Sequence, residues 1–170
     1  MYSTMHGDEH GGQDDGPVPA CLLAEQENWH AVGRGTFKWS VFNYYEAQLY
    51  CSSPRYVAEE TFALSLHYLR KIDASTIVGA AVKEMQRLAD PPATQLAEWE
   101  KTMNRVFPSV VKGDRITGVF LASGAVHFYF GKLRIGALDD AGFRSAFAAI
   151  WLDPRTQAPA LRQALLGSGA

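Results

Sequence analysis

Aromatic and β-branched residues alternate with polar ones through much of the first half of the chain. The alternation predicts one long or two consecutive β segments, Trp29–Gly35 and Thr36–Tyr50, and a further strand from Thr61 onward. In that further strand, one predicted face carries Phe62, Leu64, Leu66 and Tyr68, and the other carries Ala63, Ser65, His67 and Leu69. A period of two is the period of a pleated strand.

The apolar period then changes to that of a helix. The first apolar stripe consists of Ile77, Val78, Ala81, Val82, Met85 and Leu88. Asp73 or Ser75 is placed to cap this helix, and the Asp90-Pro91-Pro92 sequence ends it. A second helix is predicted from the stripe Leu96, Trp99, Met103 and Val106, with Thr94 as its cap and Pro108 beyond its end.

Residues 116–138 predict three short strands, joined at Ser123-Gly124 and Gly131-Lys132. Asp139 and Asp140 then precede a helical stripe of Phe143, Ala146, Phe147, Ile150 and Trp151, and a last short helix covers 160–166. The order of strands, two helices, strands and two helices predicts an α+β fold with a mainly antiparallel sheet and helices packed on it.

Composition narrows the class of protein. The 170 residues suit a single domain, and 16 basic against 18 acidic side chains leave a net charge of -2, which favours neither nucleic acid nor an anionic membrane surface. No apolar run approaches the length of a membrane span, so the chain is predicted to be soluble, without a membrane span. The two cysteines lack CxxC spacing; no metal site is predicted, and a disulfide between Cys21 and Cys51 stays open.

The Gly- and Asp-rich start of the chain predicts a flexible tail over residues 1–24, followed by a single domain over 25–170. It lacks the features of a signal peptide. The expected compartment is therefore the cytoplasm as the chain stands, or the periplasm if an export signal lies upstream.

Several stretches carry a resemblance to a known family: GDRITGVF, GKLRIG, IWLDPRT and the aromatic stretch GTFKWSVFNYYEAQLY. Over about residues 29–167 the chain resembles the bacterial chalcone isomerase-like family. The resemblance implies an open-faced β-sandwich in which helices cover one face of an antiparallel sheet. It also implies three functional kinds: plant enzymes that cyclise chalcones, plastid proteins that bind fatty acids, and bacterial members mostly without an assigned activity.

The resemblance also implies positions for catalytic groups. The plant enzymes use an arginine on an early strand, a threonine on the next and a tyrosine further along. Ser40 stands where the threonine does, with Lys38 two positions before it, but Arg34 lies only six residues before Ser40, about half the plant interval. The catalytic tyrosine has no clear counterpart in LADPPATQLAEWE. No residue is therefore assigned a catalytic role.

If residues 34–44 form one unbulged strand, two faces follow from the period of two. Arg34, Thr36, Lys38, Ser40, Phe42 and Tyr44 share one face, and Phe37, Trp39, Val41 and Tyr45 share the core face. The first face is either the lining of a site for an amphipathic, acidic ligand or a solvated sheet face. Arg34, between two glycines, is either a bulge residue or a carboxylate clamp. The ligand-pocket candidates are Arg34, Lys38, Ser40, Tyr44, Tyr68 and Tyr129, the last facing with His127.

The sequence thus predicts a domain that binds a small hydrophobic or amphipathic ligand, fatty-acid-like or polyphenol-like, without turnover and without a cofactor. One alternative is an isomerase, an intramolecular lyase, acting on another substrate. A second alternative is a scaffold or assembly partner with no small ligand.

Overall fold

Between residues 18 and 167, the chain forms one six-stranded antiparallel sheet and five helices. The computed structural model describes residues 18–167, and residues 1–17 and 168–170 lie outside the described part of the chain. The strands are β1 (His30–Trp39), β2 (Phe42–Cys51), β3 (Phe62–Tyr68), β4 (Arg115–Phe120), β5 (Ala125–Phe130) and β6 (Leu133–Asp139). The helices are α1 (Ala20–Leu23), α2 (Ala74–Ala89), α3 (Ala93–Val106), α4 (Ala141–Leu152) and α5 (Pro159–Leu166).

The sheet is a meander in which the strands lie in chain order, β1 to β6, each antiparallel to its neighbours. Short turns make this order possible: Gly124 and Gly131 have φ of 112° and 58°, a region that glycine enters without a steric penalty. The α+β prediction of an open-faced β-sandwich, with helices packed on one face of the sheet, is confirmed for α2 to α5.

The main core lies between the sheet and helices α2 to α5. Of the two faces predicted for β3, the one with Phe62, Leu64, Leu66 and Tyr68 belongs to this core. Helices α2, α3 and α4 contribute from their predicted apolar stripes, through Met85, Met103 and Phe143 among others, and α5 contributes Leu165. Burial of a large apolar side chain stabilises the fold by about 1.5–3 kcal/mol. The apolar stripes of the helices and the apolar face of the strand are therefore buried against each other.

Helix α4 begins as predicted, with Asp140 as its N-cap. The Asp140 carboxylate accepts the Phe143 N–H at 3.1 Å and the Trp99 indole N–H at 2.9 Å. The hydrogen bond from Trp99 is the main reason that the pKa of Asp140 is lowered. Asp140 therefore caps α4 and ties it to α3.

The other helix starts differ in detail from the predictions. Asp73 occupies the N-cap position of α2, but the Ala74 N–H is accepted by Ser109 Oγ at 2.8 Å, not by the Asp73 side chain. Helix α3 begins at Ala93 after Pro92, so Thr94 lies inside its first turn and is not the cap. The proline φ suits a helix start, which explains the earlier boundary.

The opposite face of the sheet carries a second, smaller cluster. Helix α1 lies on it, with Cys21 and Leu22 packed against Tyr50, Ala63 and Val119 among others. Residues 20–23, which the sequence places in the tail, are thus helical, and Leu22 is fully buried. The rest of the predicted tail, residues 1–17, lies outside the described residues.

Both cysteines are buried free thiols on opposite faces of the sheet, Cys21 in the smaller cluster and Cys51 in the main core. Burial raises the pKa of Cys51 to about 12. Within residues 18–167, no helix is long and apolar enough to cross a membrane.

The aromatic stretch that opens the sheet is a hairpin and not one strand. Ser40 and Val41 form the turn between β1 and β2, and Ser40 has a φ of 58°. A bulge follows, because Phe37 pairs with Tyr45 and Lys38 pairs with Asn43, which leaves Tyr44 without a partner in the ladder. The condition of one unbulged strand over 34–44 is therefore not met: Arg34, Thr36 and Lys38 still share one side of β1, but Ser40 and Val41 lie in the turn and Phe42 pairs with Trp39.

Candidate functional site: a cavity between the sheet and the helices

A cavity of about 450 Å³ lies between the helix-covered face of the sheet and helices α2 and α4. Its volume falls in the range of small-molecule pockets, about 300–1,000 Å³. Much of its wall is aromatic: Phe37, Trp39, Tyr44, Tyr45, Tyr68, Phe107, Phe120, Phe128, Phe147 and Trp151.

Small residues at facing positions leave this volume open. Helix α2 presents Ala80 and Ala81 to the cavity, and β4 presents Gly118. A Cβ at Gly118 would lie 3.3 Å from the Phe128 ring, so the glycine also lets that ring lie flat against the strand. The aromatic rings around the space are braced against one another, as with Phe128 and Phe147 at 5.4 Å between centroids. The cavity is therefore framed by a rigid wall.

Two tyrosine hydroxyls in the wall differ in their hydrogen bonding. Tyr45 Oη accepts the Trp151 indole N–H at 2.9 Å, which joins β2 to α4. Tyr68, whose side chain packs against Tyr45 at 5.6 Å between ring centroids, is only 4% exposed, and no described residue hydrogen-bonds its hydroxyl. Burial raises the pKa of Tyr68, so the phenol stays protonated and is a hydrogen-bond donor.

Exposed residues of the lining mark where the cavity reaches solvent. They are Trp39 at the tip of the first hairpin, Thr76, Ala80 and Lys83 on α2, and Gln157 after α4. Glu84 is also in the lining, where its carboxylate is bound by Arg87 at 2.6 Å. The mouth thus lies between the hairpin tip and α2, and Lys83 is one of the exposed residues that line it.

Of the six residues predicted from the sequence, Tyr44 and Tyr68 line this cavity, and Arg34, Lys38, Ser40 and Tyr129 do not. Both tyrosines therefore belong to one lining, although only Tyr68 is buried.

Arg34 and Lys38 are exposed, and the glycines beside Arg34 explain its orientation. A Cβ at Gly33 would lie 2.2 Å from the Ala164 carbonyl oxygen, and one at Gly35 would lie 2.8 Å from Ala164 Cβ. Helix α5 thus packs directly on the face of β1 that carries the glycines, and Arg34 falls on the opposite face. The glycines permit helix packing and do not open a carboxylate clamp.

The turn accounts for the other misplaced residues of the first hairpin. Ser40 is an exposed turn residue and does not stand on a strand face beside Lys38. Trp39 and Val41, predicted as core, are 70% and 85% exposed. Phe37 and Tyr45, from the same predicted set, do pack against the main core.

Tyr129 lies on the opposite face of the sheet, together with His127 as the sequence predicts. Glu25 Oε2 accepts the Tyr129 hydroxyl in a short hydrogen bond, and His127 Nδ1 lies 2.7 Å from the same oxygen. Burial acts to raise the pKa of Glu25, but the bonds from Tyr129 and His127 outweigh it and lower that pKa. Tyr129 therefore anchors the segment after α1 to the sheet and has no place in the cavity.

Sequence reasoning missed several residues of the cavity. Trp151 appeared only as part of a core stripe, although its indole holds the Tyr45 hydroxyl. Residues 156–158 were given no role, although all three line the space. A cavity is the space that two packed elements leave unfilled between them. The hydrophobic period of either element alone does not predict that space.

Comparison with known proteins gives consistent results. The sequence model of a family described as chalcone isomerase-like matches residues 17–167. An uncharacterized protein of Haemophilus influenzae is 27% identical over 142 residues, which cover 82% of this chain and 69% of that protein. The crystal structure of a fatty-acid binding protein of Arabidopsis thaliana superposes with a TM-score of 0.68 at 10% identity, covering 83% of this chain and 88% of the other. At that identity, the superposition shows a shared fold.

Proposed function

The chain belongs to the chalcone isomerase-like family, and we propose that its cavity binds a small amphipathic molecule of the fatty-acid type without turnover. The observation that carries this proposal is a preformed apolar cavity of about 450 Å³ with one buried phenol, Tyr68, that no described residue hydrogen-bonds. A buried polar group without a partner costs about 1–3 kcal/mol. A ligand that accepts its hydrogen bond removes that cost.

The lining matches a ligand with an apolar body and one acceptor group. The aromatic and aliphatic wall favours hydrocarbon, because burying apolar surface gains about 25 cal/mol per Å². The Tyr68 hydroxyl donates and cannot become an anion near neutral pH, so it pairs with a carboxylate or a carbonyl oxygen. Lys83 at the mouth adds a cation for an acidic head group. The related fold of the Arabidopsis protein, which its title describes as fatty-acid binding, supports the same ligand class.

Binding without chemistry is favoured by where the family's catalytic positions fall. Ser40, at the hydroxyl position implied by the resemblance, lies in the turn of the first hairpin, and Arg34 lies on the face of β1 opposite α5. Neither lines the cavity. A bound enone would therefore have neither of these groups beside it to polarise its ketone or to hold a phenolate.

Binding is tested by fluorescence titration with cis-parinaric acid and displacement by palmitic acid. The chain should bind the probe at one site, and Ala81→Phe, which fills the cavity from α2, should weaken binding by about tenfold or more, equivalent to about 1.4 kcal/mol. Ala89→Phe is the matched control, because Ala89 ends the same helix outside the cavity lining. Its affinity should equal that of the unmodified chain.

A second cavity-filling variant and a mass measurement of the bound species complete the test. Ala80→Phe serves in place of Ala81→Phe if the latter does not fold, because Ala80 lines the mouth and is exposed. Native mass spectrometry after mild purification should show a bound species with the mass of a lipid-like acid. Probe binding that survives both cavity-filling changes would contradict the proposal.

A further inference from the structure

The meander brings four connecting segments to one end of the sheet. They are the turn between β1 and β2, the segment 69–73 that leaves β3, the loop 111–114 that enters β4, and the turn between β5 and β6. The Leu69 N–H donates to Tyr44 O, and the Gly113 N–H donates to Tyr68 O, which joins neighbouring segments directly. Six strands about 4.8 Å apart make this end roughly 24 Å wide. We call it the hairpin end.

The hairpin end collects most of the exposed large apolar side chains. Within residues 18–167, seven large hydrophobic residues are exposed, and five of them are here. Their exposed fractions are 70% for Trp39, 85% for Val41, 46% for Phe42, 54% for Val111 and 67% for Leu133. Val41 is exposed at the apex of a turn whose first residue, Ser40, has a positive φ. Concentration of exposed apolar groups at one end marks an interaction surface.

Cations surround these apolar groups. The hairpin end carries Lys38, Arg70, Lys71, Lys112 and Lys132, and only two carboxylates, Asp73 and Asp114. Asp114 already accepts the Val111 N–H at 2.8 Å. The Arg70 guanidinium lies 4.3 Å from the centroid of the Phe42 ring, so apolar and cationic groups interleave. The net charge of -2, which argued against an anionic membrane surface, is a sum over the whole chain and does not exclude one basic end.

We propose that the hairpin end docks on the surface of an anionic lipid bilayer. Apolar side chains with a tryptophan enter the interfacial layer, while lysines extend to the head groups. A protein partner fits less well, because the cores of protein interfaces are depleted in lysine. A second copy of this chain fits less well too, because two basic ends repel each other.

Docking there would place the proposed binding cavity against the lipid. Trp39 and Tyr44 belong to the hairpin tip and also to the cavity lining, with ring centroids 6.4 Å apart. An amphipathic ligand would then pass between bilayer and cavity without crossing bulk water. This role in ligand transfer rests on the proposed function. Docking itself can be tested without any ligand.

The test is flotation of the full chain with vesicles of phosphatidylcholine containing 30% phosphatidylserine, set against vesicles of phosphatidylcholine alone. The chain should float with the anionic vesicles and bind the neutral ones more weakly, and 0.5 M salt should weaken the anionic binding. Lys112→Gln should lower the affinity by about fivefold, the share of one basic residue near an anionic surface. The double change Val41→Ser with Leu133→Ser should lower it further, because both side chains are exposed and neither lines the cavity.

Controls separate this inference from the proposed function. Leu23→Ser with Val57→Ser removes the two exposed apolar side chains elsewhere in residues 18–167 and should leave flotation unchanged. Val41→Ser with Leu133→Ser should retain cis-parinaric acid binding in solution, while Ala81→Phe should retain flotation. Failure to float with anionic vesicles would overturn the inference. So would a concentration-dependent dimer that the Val41 and Leu133 changes abolish, because the end would then join two copies of the chain.

Discussion

The two faces of the sheet differ in how their buried polar groups are hydrogen-bonded. Phe128 and Tyr129 are neighbours in β5, yet Phe128 enters the aromatic main core and Tyr129 enters the smaller cluster. Around Tyr129 the polar groups bind one another: its hydroxyl and His127 share the Glu25 carboxylate. On the other face, the equally buried Tyr68 hydroxyl borders an open cavity, and no described residue hydrogen-bonds it.

A second group of polar residues on the Tyr129 face is also hydrogen-bonded within the chain. Ser65 and Thr117 are both buried, lie opposite each other on β3 and β4, and are 3.1 Å apart between hydroxyl oxygens. Arg115 Nη1 also donates to Ser65 Oγ at 2.8 Å. These buried polar groups are therefore satisfied within the chain. On the cavity face, by contrast, the Tyr68 hydroxyl has no described partner and can donate a hydrogen bond to a ligand.

The largest effect is expected from breaking the aromatic core of the cavity face. Phe143 is fully buried on α4, with its ring 5.2 Å from that of Phe147. Phe143→Ala should lower the free energy of unfolding by about 3–5 kcal/mol, because it leaves a space that rigid neighbours cannot fill. Urea unfolding followed by circular dichroism measures the loss. A loss below about 1 kcal/mol would mean that this face is not the main core.

Two tyrosine changes compare the faces directly. Tyr129→Phe should lower the free energy of unfolding by about 1–3 kcal/mol, because the partly buried Glu25 carboxylate loses a donor. Tyr68→Phe should leave stability unchanged or slightly raise it, because no described residue receives its hydrogen bond. The same change should weaken fatty-acid binding roughly three- to tenfold, while Tyr129→Phe leaves binding intact. Equal losses of stability in the two variants would refute the contrast.

A smaller, pH-dependent effect follows from Glu25. Its pKa in the folded chain is lowered by Tyr129 and His127, so the unfolded chain binds more protons and stability rises with pH in that range. The contribution is fully present above the ordinary glutamate pKa of about 4.3 and is lost as the pH falls through the lower folded value. In urea titrations, the free energies of unfolding of the unmodified chain and of Glu25→Gln should therefore differ by roughly 1 kcal/mol near pH 6 and converge toward pH 3. Glu27→Gln is the matched control: it removes an exposed carboxylate nearby, and its free energy of unfolding at pH 6 should equal that of the unmodified chain.

The smallest effect is expected at the hairpin tip. Trp39→Ala should change the free energy of unfolding by less than about 0.5 kcal/mol, because the side chain is 70% exposed. The urea midpoint should move no further than that of a surface control such as Lys101→Ala. A loss comparable with that of Phe143→Ala would return Trp39 to the core, where the sequence had placed it.

The sequence predicted the faces of β3 correctly because that strand is regular from Phe62 to Tyr68, so the period of two runs without interruption. It failed for the first hairpin because the turn at Ser40-Val41 has no Gly or Asn to signal a positive φ. Once the chain turns there, Phe42 pairs with Trp39 and falls on its side of the sheet, and the extra residue at the bulge, Tyr44, restores the predicted side for Tyr45. Ser40 was placed on a strand face with Arg34 and Lys38 because this turn was not predicted.

Within the candidate site, Tyr68 was predicted correctly because β3 is regular. Tyr44 also lines the cavity, but its position there results from a bulge that the sequence did not predict. Its place depends on the bulge, which sets it beside Tyr45 in the cavity wall. Helix α1 was missed because its four residues, ACLL, are too few to show a period. Long regular elements could thus be read from the chain, and irregular ones required tertiary structure.

The central claim is that the cavity face binds an amphipathic acid through the Tyr68 hydroxyl. A crystal structure of the chain soaked with palmitic acid tests it most directly. The account predicts hydrocarbon density between α2 and the sheet, with one carboxylate oxygen about 2.5–3.0 Å from Tyr68 Oη. An empty cavity, or an acid bound with its carboxylate away from Tyr68, would contradict it.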